Sequence, residues 1–196
     1  MFRYSLLTAA ALLSACGSND DRAATETQVT EPPATATAPT APTAAPGAPT
    51  DAAGYIAKAG AGDLWEIESS KALLAKSARA DVKKFAEMMI DHHGKSTAKV
   101  KAAAAAASIK VNPPVLDASQ QASLNEIKNA DATTIDSVYL RHQQTAHDAA
   151  LALHRAYATN GDTASLKTAA GEIAPVVEQH IAELQNLSGA AASNTR

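Results

Sequence analysis

Between Asp81 and Lys101 the residues Phe85, Met89, His93, Ser96 and Val100 return at intervals of three and four, which places them on one face of a helix. Nothing else limits the fold as strongly, because the same spacing recurs in three further long segments and no credible strand accompanies them. The first segment, about 52 to 75, sets Ile56, Gly60, Leu64, Ile67 and Leu74 on its apolar side. Another, about 132 to 159, carries the column Ile135, Tyr139, Ala146, Ala149 and Leu153 beside the column Leu140, His147, Leu151 and His154. The last repeats Leu166, Ala170, Ile173, Val177, His180, Leu184 and Leu187. A chain with such stripes must bury helix faces against helix faces.

Punctuation between the stripes sets the connections. The segment containing His93 is expected to run from about 80 to 108, through the run Ala102 to Ala107, and to be stopped by Asn112-Pro113-Pro114, since prolines remove donors and disfavour a helix before them. Asp117 with Gln120 has the spacing of a capping box and opens a short helix with Leu124 and Ile127 inside. Asn160-Gly161 reads as a stop and Asp162 as the cap of the last helix, in which Pro175 is expected to cause a bend or local unwinding. Four principal helices and a short one in the central connection describe an all-α, ferritin-like four-helix bundle over residues 51–188, with a disordered tail at 189–196.

Before the bundle, Arg3, the apolar stretch Leu6 to Leu13 and Leu13-Ser14-Ala15-Cys16 have the layout of a secretory signal, residues 1–15. The apolar stretch is too short for a permanent membrane span. Residues 16–50 are rich in Ala, Thr and Pro, cannot bury enough surface to order themselves, and read as a disordered tether. The end of the signal resembles the lipobox of bacterial lipoproteins. That resemblance implies a lipid on Cys16, the single cysteine, and Gly17 beside it is compatible with sorting to the outer membrane. The expectation is a domain held by lipidated Cys16 on the bilayer, with the bundle in the periplasm. One cysteine excludes an intramolecular disulfide, and a formal charge of -3 without a dense Lys/Arg stripe argues against nucleic acid as a partner.

His93, His147 and His180 fall one to a helix, and the first helix supplies Glu66 or Glu68. Imidazole and carboxylate donors together suit zinc, copper or iron if they converge. The competing reading is packed, hydrogen-bonded histidines partnered by Tyr139, Gln144 or Glu66. Residues three before these histidines are Ile90, Gln144 and Val177, so the Glu-x-x-His elements of a di-iron bundle are missing. Asp63, Glu66 and Glu68 are expected on a solvated face, with Glu66 the one best placed to approach a partner helix. His92, His142 and His154 are expected on exposed flanks. Without a nucleophile elbow, a phosphate loop or a cysteine in the bundle, no catalytic residue is assigned and enzyme activity is not expected.

Taken together, the Gly/Glu-rich first helix with Glu66 and Glu68, Phe85-Ala86 followed by Met89 and His93, the Tyr139 to His147 segment, and Pro175 followed by His180 resemble the bacterial family DUF4142. It is a domain of unknown function whose members are commonly labelled outer-membrane proteins and grouped with ferritin-like folds. The resemblance implies the bundle and an envelope setting but no reaction. Two functions are therefore expected to compete, the first favoured and the second its alternative. One is a noncatalytic domain that binds an envelope protein or cell-wall component or has a stress-related structural role; an exposed apolar patch would mark it. The other is a metal-binding or redox-associated domain, marked by convergence of Glu66, His93, His147 and His180.

Overall fold

A computed structural model describes residues 47–193, with side chains to Ser188. Cys16, the signal and the tether up to residue 46 lie outside the described residues. Five helices follow in order: α1 (Ala52–Leu74), α2 (Ala80–Ala106), α3 (Ala118–Asn129), α4 (Ile135–Asn160) and α5 (Ala164–Ser193), with no strand among the described residues.

Each helix boundary has a local chemical cause. The Asp51 carboxylate accepts from the Gly54 amide and caps α1. α2 ends before the two prolines expected to stop it, because Ser108 adopts φ 58° and the amides of Ser108 and Ile109 return to the carbonyls of Ala105 and Ala104 at 2.9 Å each. This is a Schellman closure, which satisfies the last carbonyls and turns the chain without proline. Asp117 and Gln120 form the expected reciprocal capping box of α3. α4 begins at Ile135, later than the apolar spacing suggested, because the Asp131 carboxylate gathers the amides and hydroxyls of Thr133 and Thr134 into a turn. Those hydrogen bonds hold the Asp131 carboxyl at about 2.

Asp162 acts elsewhere than expected. One of its oxygens accepts from the Tyr157 and Thr163 hydroxyls and the other from the Ala52 amide at 3.3 Å, so it ties the α4–α5 turn to the first residue of α1. Pro175 does not unwind α5, which is helical across it. Pro175 and Gly171, whose carbonyl loses its donor, are both exposed, so the interruption falls on the solvated side.

The core has two apolar ends. One contains Trp65, Leu73, Val82, Phe85, Met89, Ile127, Tyr139 and Leu184, and the other Tyr55, Ile56, Val100, Tyr157, Leu166 and Val177. α1 and α5 pass from the second cluster to the first, whereas α2 and α4 pass the opposite way. The chain from α2 to α4 therefore has to travel back along the bundle, and α3, packed on α1 and α4, lies in that crossover. Each long helix crosses from one apolar end to the other through a polar stretch: Asp63 to Glu66, His93 to Ser96, Gln143 to His147, and His180. The functional candidates meet at this level.

Candidate metal centre

On α1, Asp63 and Glu66 are three residues apart and share one helix side; both are buried, at 4 % and 3 % exposure. α2 contributes His93, α4 contributes Gln143 and His147 one turn apart, and α5 contributes His180, all buried. One nitrogen from each of His93, His147 and His180 lies within 4.8 Å of the other two. The closest pair is His147 Nε2 and His180 Nδ1, at 3.2 Å.

The outward nitrogens are each held. His93 Nδ1 is 2.8 Å from Asp63 Oδ1, and Thr97 Oγ1 donates to the other Asp63 oxygen at 2.9 Å. His147 Nδ1 donates to the Gln143 carbonyl at 2.9 Å, with Glu66 Oε1 at 3.4 Å. His180 Nε2 is 2.8 Å from His92 Nδ1. A carbonyl or carboxylate can only accept, so Nδ1 carries the proton in His93 and His147 and both Nε2 lone pairs face inward. His93 Nε2 has no hydrogen-bond partner. Partners of this kind, on the nitrogen away from the centre, orient histidine ligands at metal sites.

Metal–nitrogen bonds of about 2.0–2.1 Å in a tetrahedron place the nitrogens roughly 3.3 Å apart. The His147–His180 separation already has that length. The His93 nitrogen lies within 4.8 Å of both, so an approach of at most about 1.5 Å closes the set.

Electrostatics keep two of the three imidazoles neutral. Burial lowers the His147 pKa and takes His180 to about 2, with the fields of His147, His93 and His92 adding to the effect, so both imidazoles keep their lone pairs. Burial also pulls His93 down, but the Asp63 hydrogen bond and the fields of Glu66 and Asp63 outweigh it and leave the pKa raised. Asp63 and Glu66 are buried where no Lys or Arg is buried among the described residues. A cation at the histidines would offset both carboxylates.

The three expected histidines thus come together, and Glu66 lies beside them rather than among the clustered donor atoms. Glu68 does not join; it pairs with Lys71 at 2.9 Å toward solvent. Asp63 was expected on a solvated face and is instead the orienting partner of His93. The signal for it was present in the i, i+3 pair Asp63/Glu66 and the i, i+4 pair His93/Thr97. His92, expected exposed, is half-buried because its ring stacks on His180 with centroids 5.1 Å apart. His154, expected on a flank, is buried and bonded to the Tyr55 hydroxyl at 3.0 Å, and burial lowers its pKa to about 4. His142 is half-buried against Glu126. Neither Tyr139 nor Gln144 serves the three histidines: Tyr139 bonds Ser70 and Gln144 bonds Asp148. A cleft of about 920 Å³ lies along α1 and α4, bordered by Trp65, Ala149 and Leu153, and Asp63, Glu66 and His93 contribute to its lining.

The chain belongs to the family described as a domain of unknown function (DUF4142), which it matches over residues 36–187. No curated protein matches it. Among solved structures it is similar to the crystal structure of a DUF305 fragment from Deinococcus radiodurans, with 11 % identity and a TM-score of 0.62 over 70 % of this chain and 95 % of that one. The likeness shows a shared helical fold.

Proposed function

We propose that this protein is a noncatalytic, exported metal-binding domain that holds one transition-metal ion, zinc, copper or iron, at His93, His147 and His180. The observation that carries the reading is the convergence of three imidazole nitrogens from three helices, each with its outer nitrogen anchored, within 4.8 Å of one another. Imidazole sets of this kind suit all three metals. Packing histidines would satisfy the same anchors but would not require His93 Nε2 to face inward without a partner. The scaffold reading draws less support, because Val115 is the exposed large apolar side chain among the described residues and one side chain does not make a docking patch. The envelope setting rests on Arg3, the apolar stretch that follows it, and Cys16, whose lipid would anchor the bundle to the outer membrane on the periplasmic side.

Metal content of the chain purified without a histidine tag, followed by zinc, copper and iron titration, tests the reading. One tightly bound ion per chain is expected, lost in a His93/His147/His180 triple-alanine variant that keeps its helical circular dichroism. No binding by the intact, folded chain would sink it. Membrane fractionation of Cys16→Ser, expected to release the protein, tests the anchor separately.

A further inference from the structure

Of the three outward nitrogens, that of His180 alone meets a group able both to donate and to accept, the His92 imidazole. Its neighbours fix which it does in the metal-free chain. His147 gives its Nδ1 proton to the Gln143 carbonyl, and burial keeps the ring neutral, so its Nε2 is bare. The 3.2 Å contact between that Nε2 and His180 Nδ1 is then a hydrogen bond only with the proton on His180 Nδ1. His180, also kept neutral by burial, has a bare Nε2 in turn, to which His92 Nδ1 must donate at 2.8 Å. The Gln143 carbonyl, His147, His180 and His92 thus make one directed chain of hydrogen bonds. It runs from the buried centre to His92 Nε2, on a side chain 32 % exposed and 3.9 Å from Asp91 Oδ2.

A metal at the inward nitrogens needs the His180 Nδ1 lone pair, and in that chain a proton occupies it. Resting on the metal reading above, we infer that His92 is a positioning residue that sets the tautomer of His180, donating to its Nε2 in the metal-free chain and accepting from it once metal is bound. The protons balance. The His180 Nδ1–H bond breaks as the metal–nitrogen bond forms, and its proton leaves with water shed by the incoming ion. The His92 Nδ1 proton passes to His180 Nε2, and His92 Nε2 takes one from solvent, so the pair gains and loses one proton each way. His93 and His147 need no change of tautomer, because their Nδ1 protons already face the Asp63 carboxylate and the Gln143 carbonyl. Loading of the buried centre is thereby displayed at the surface between α2 and α5, where His92 Nε2 turns from acceptor to donor beside Asp91.

Nitrogen-15 NMR of the full chain labelled at histidine tests this, because two-bond proton–nitrogen couplings tell a protonated ring nitrogen from a bare one. Without metal, His92, His147 and His180 are expected to carry their protons on Nδ1. With zinc, His92 and His180 are expected to hold theirs on Nε2 while His147 keeps its own on Nδ1. A metal-free His180 protonated on Nε2 would overturn the inference, as would a zinc-loaded chain in which His92 keeps its Nδ1 proton. Substitution separates this role from the stacking of the His92 ring on His180. His92→Phe keeps a ring without nitrogens and should weaken zinc binding about tenfold or more, whereas His92→Asn, whose amide can give or take a hydrogen bond at the Nδ1 position, should stay within about threefold of the parent. The opposite order would make His92 a packing residue and overturn the inference. The metal-free tautomers are read without any ion, so failure of the intact chain to hold zinc, copper or iron would strike the metal reading separately and carry the exchange down with it.

Discussion

Replacing Asp63 by asparagine isolates the orienting contact from the ligands. The Asp63 carboxylate accepts from His93 Nδ1 at 2.8 Å and from Thr97 at 2.9 Å. Asparagine keeps the shape and can keep the Thr97 bond through its oxygen, but its remaining group is a donor facing a donor. His93 would lose both its orientation and a charge-assisted bond, and the centre would lose one of its two buried carboxylates. Outer partners of metal-bound histidines are typically worth 10–100-fold in affinity, so Asp63→Asn is expected to weaken binding by roughly that factor, about 1.4–2.7 kcal/mol. Competition against a chromophoric chelator near neutral pH measures it, with circular dichroism as the folding control. The decisive comparison is a double-mutant cycle with His93→Ala. If Asp63 acts through His93, adding Asp63→Asn to His93→Ala weakens binding by less than about threefold. Affinity within twofold of the parent for Asp63→Asn alone, or additive losses in the cycle, would refute the reasoning.

Acid should destabilise the metal-free bundle. The folded pKa of His154, lowered to about 4 by burial, lies below the unfolded value near 6.5, so the unfolded chain takes up more protons and stability falls as pH drops from about 6.5 to 4. His154 alone contributes on the order of 3 kcal/mol to that fall. His147 and His180 shift the same way, while His93, raised, acts in the opposite sense and is stabilising below 6.5; a urea midpoint no lower at pH 4.5 than at pH 7 would contradict this balance. Gly161→Ala should cost about 1–3 kcal/mol, because a Cβ there would meet the Tyr157 ring at 2.6 Å and that ring is stacked on Tyr55 at 4.0 Å; an unchanged thermal midpoint would show that the pair yields. Zinc at a hundred times its dissociation constant should stabilise the chain by about 2.7 kcal/mol, seen as a raised melting temperature that the triple-alanine variant does not share.

Helix count and the core positions of His93, His147 and His180 were legible because apolar spacing reports burial on the same element. Side chains whose burial depends on another helix were less so. Asp63 reads as solvated on α1 alone, and only the approach of α2 turns it into the partner of His93. His92 lies about 100° around α2 from His93, which suggests solvent until α5 brings His180 beside it. The end of α2 was placed within two residues, at 108 against Ala106, but assigned to the wrong cause: two prolines are a conspicuous breaker, whereas a serine in the left-handed region gives no signal in composition. Asp162 has the local spacing of a cap, but the Ala52 amide, distant in sequence and near in space, claims one of its oxygens.

The polar layer also bears on why metal and folding should be linked. An all-apolar layer at the same level would pack the bundle without desolvating ionisable groups, and buried ion pairs often add little net stability over such a layer. Here Asp63, Glu66, His93, His147 and His180 interrupt the core between its two apolar ends, and burial opposes charging His147 and His180. His147 and His180 therefore give no positive charge to balance the two carboxylates, and of the three imidazoles only His93, its pKa raised by Asp63 and Glu66, favours the charged form. A divalent cation at the inward nitrogens supplies that charge without requiring His147 and His180 to protonate. It also joins α2, α4 and α5 at the point where apolar packing is interrupted. Since the unfolded chain cannot hold the three nitrogens together, binding free energy at this level is also folding free energy. Local opening of the bundle should accordingly be suppressed most strongly by metal at the middle of α2, α4 and α5, rather than at their ends, which amide hydrogen exchange with and without zinc would resolve residue by residue.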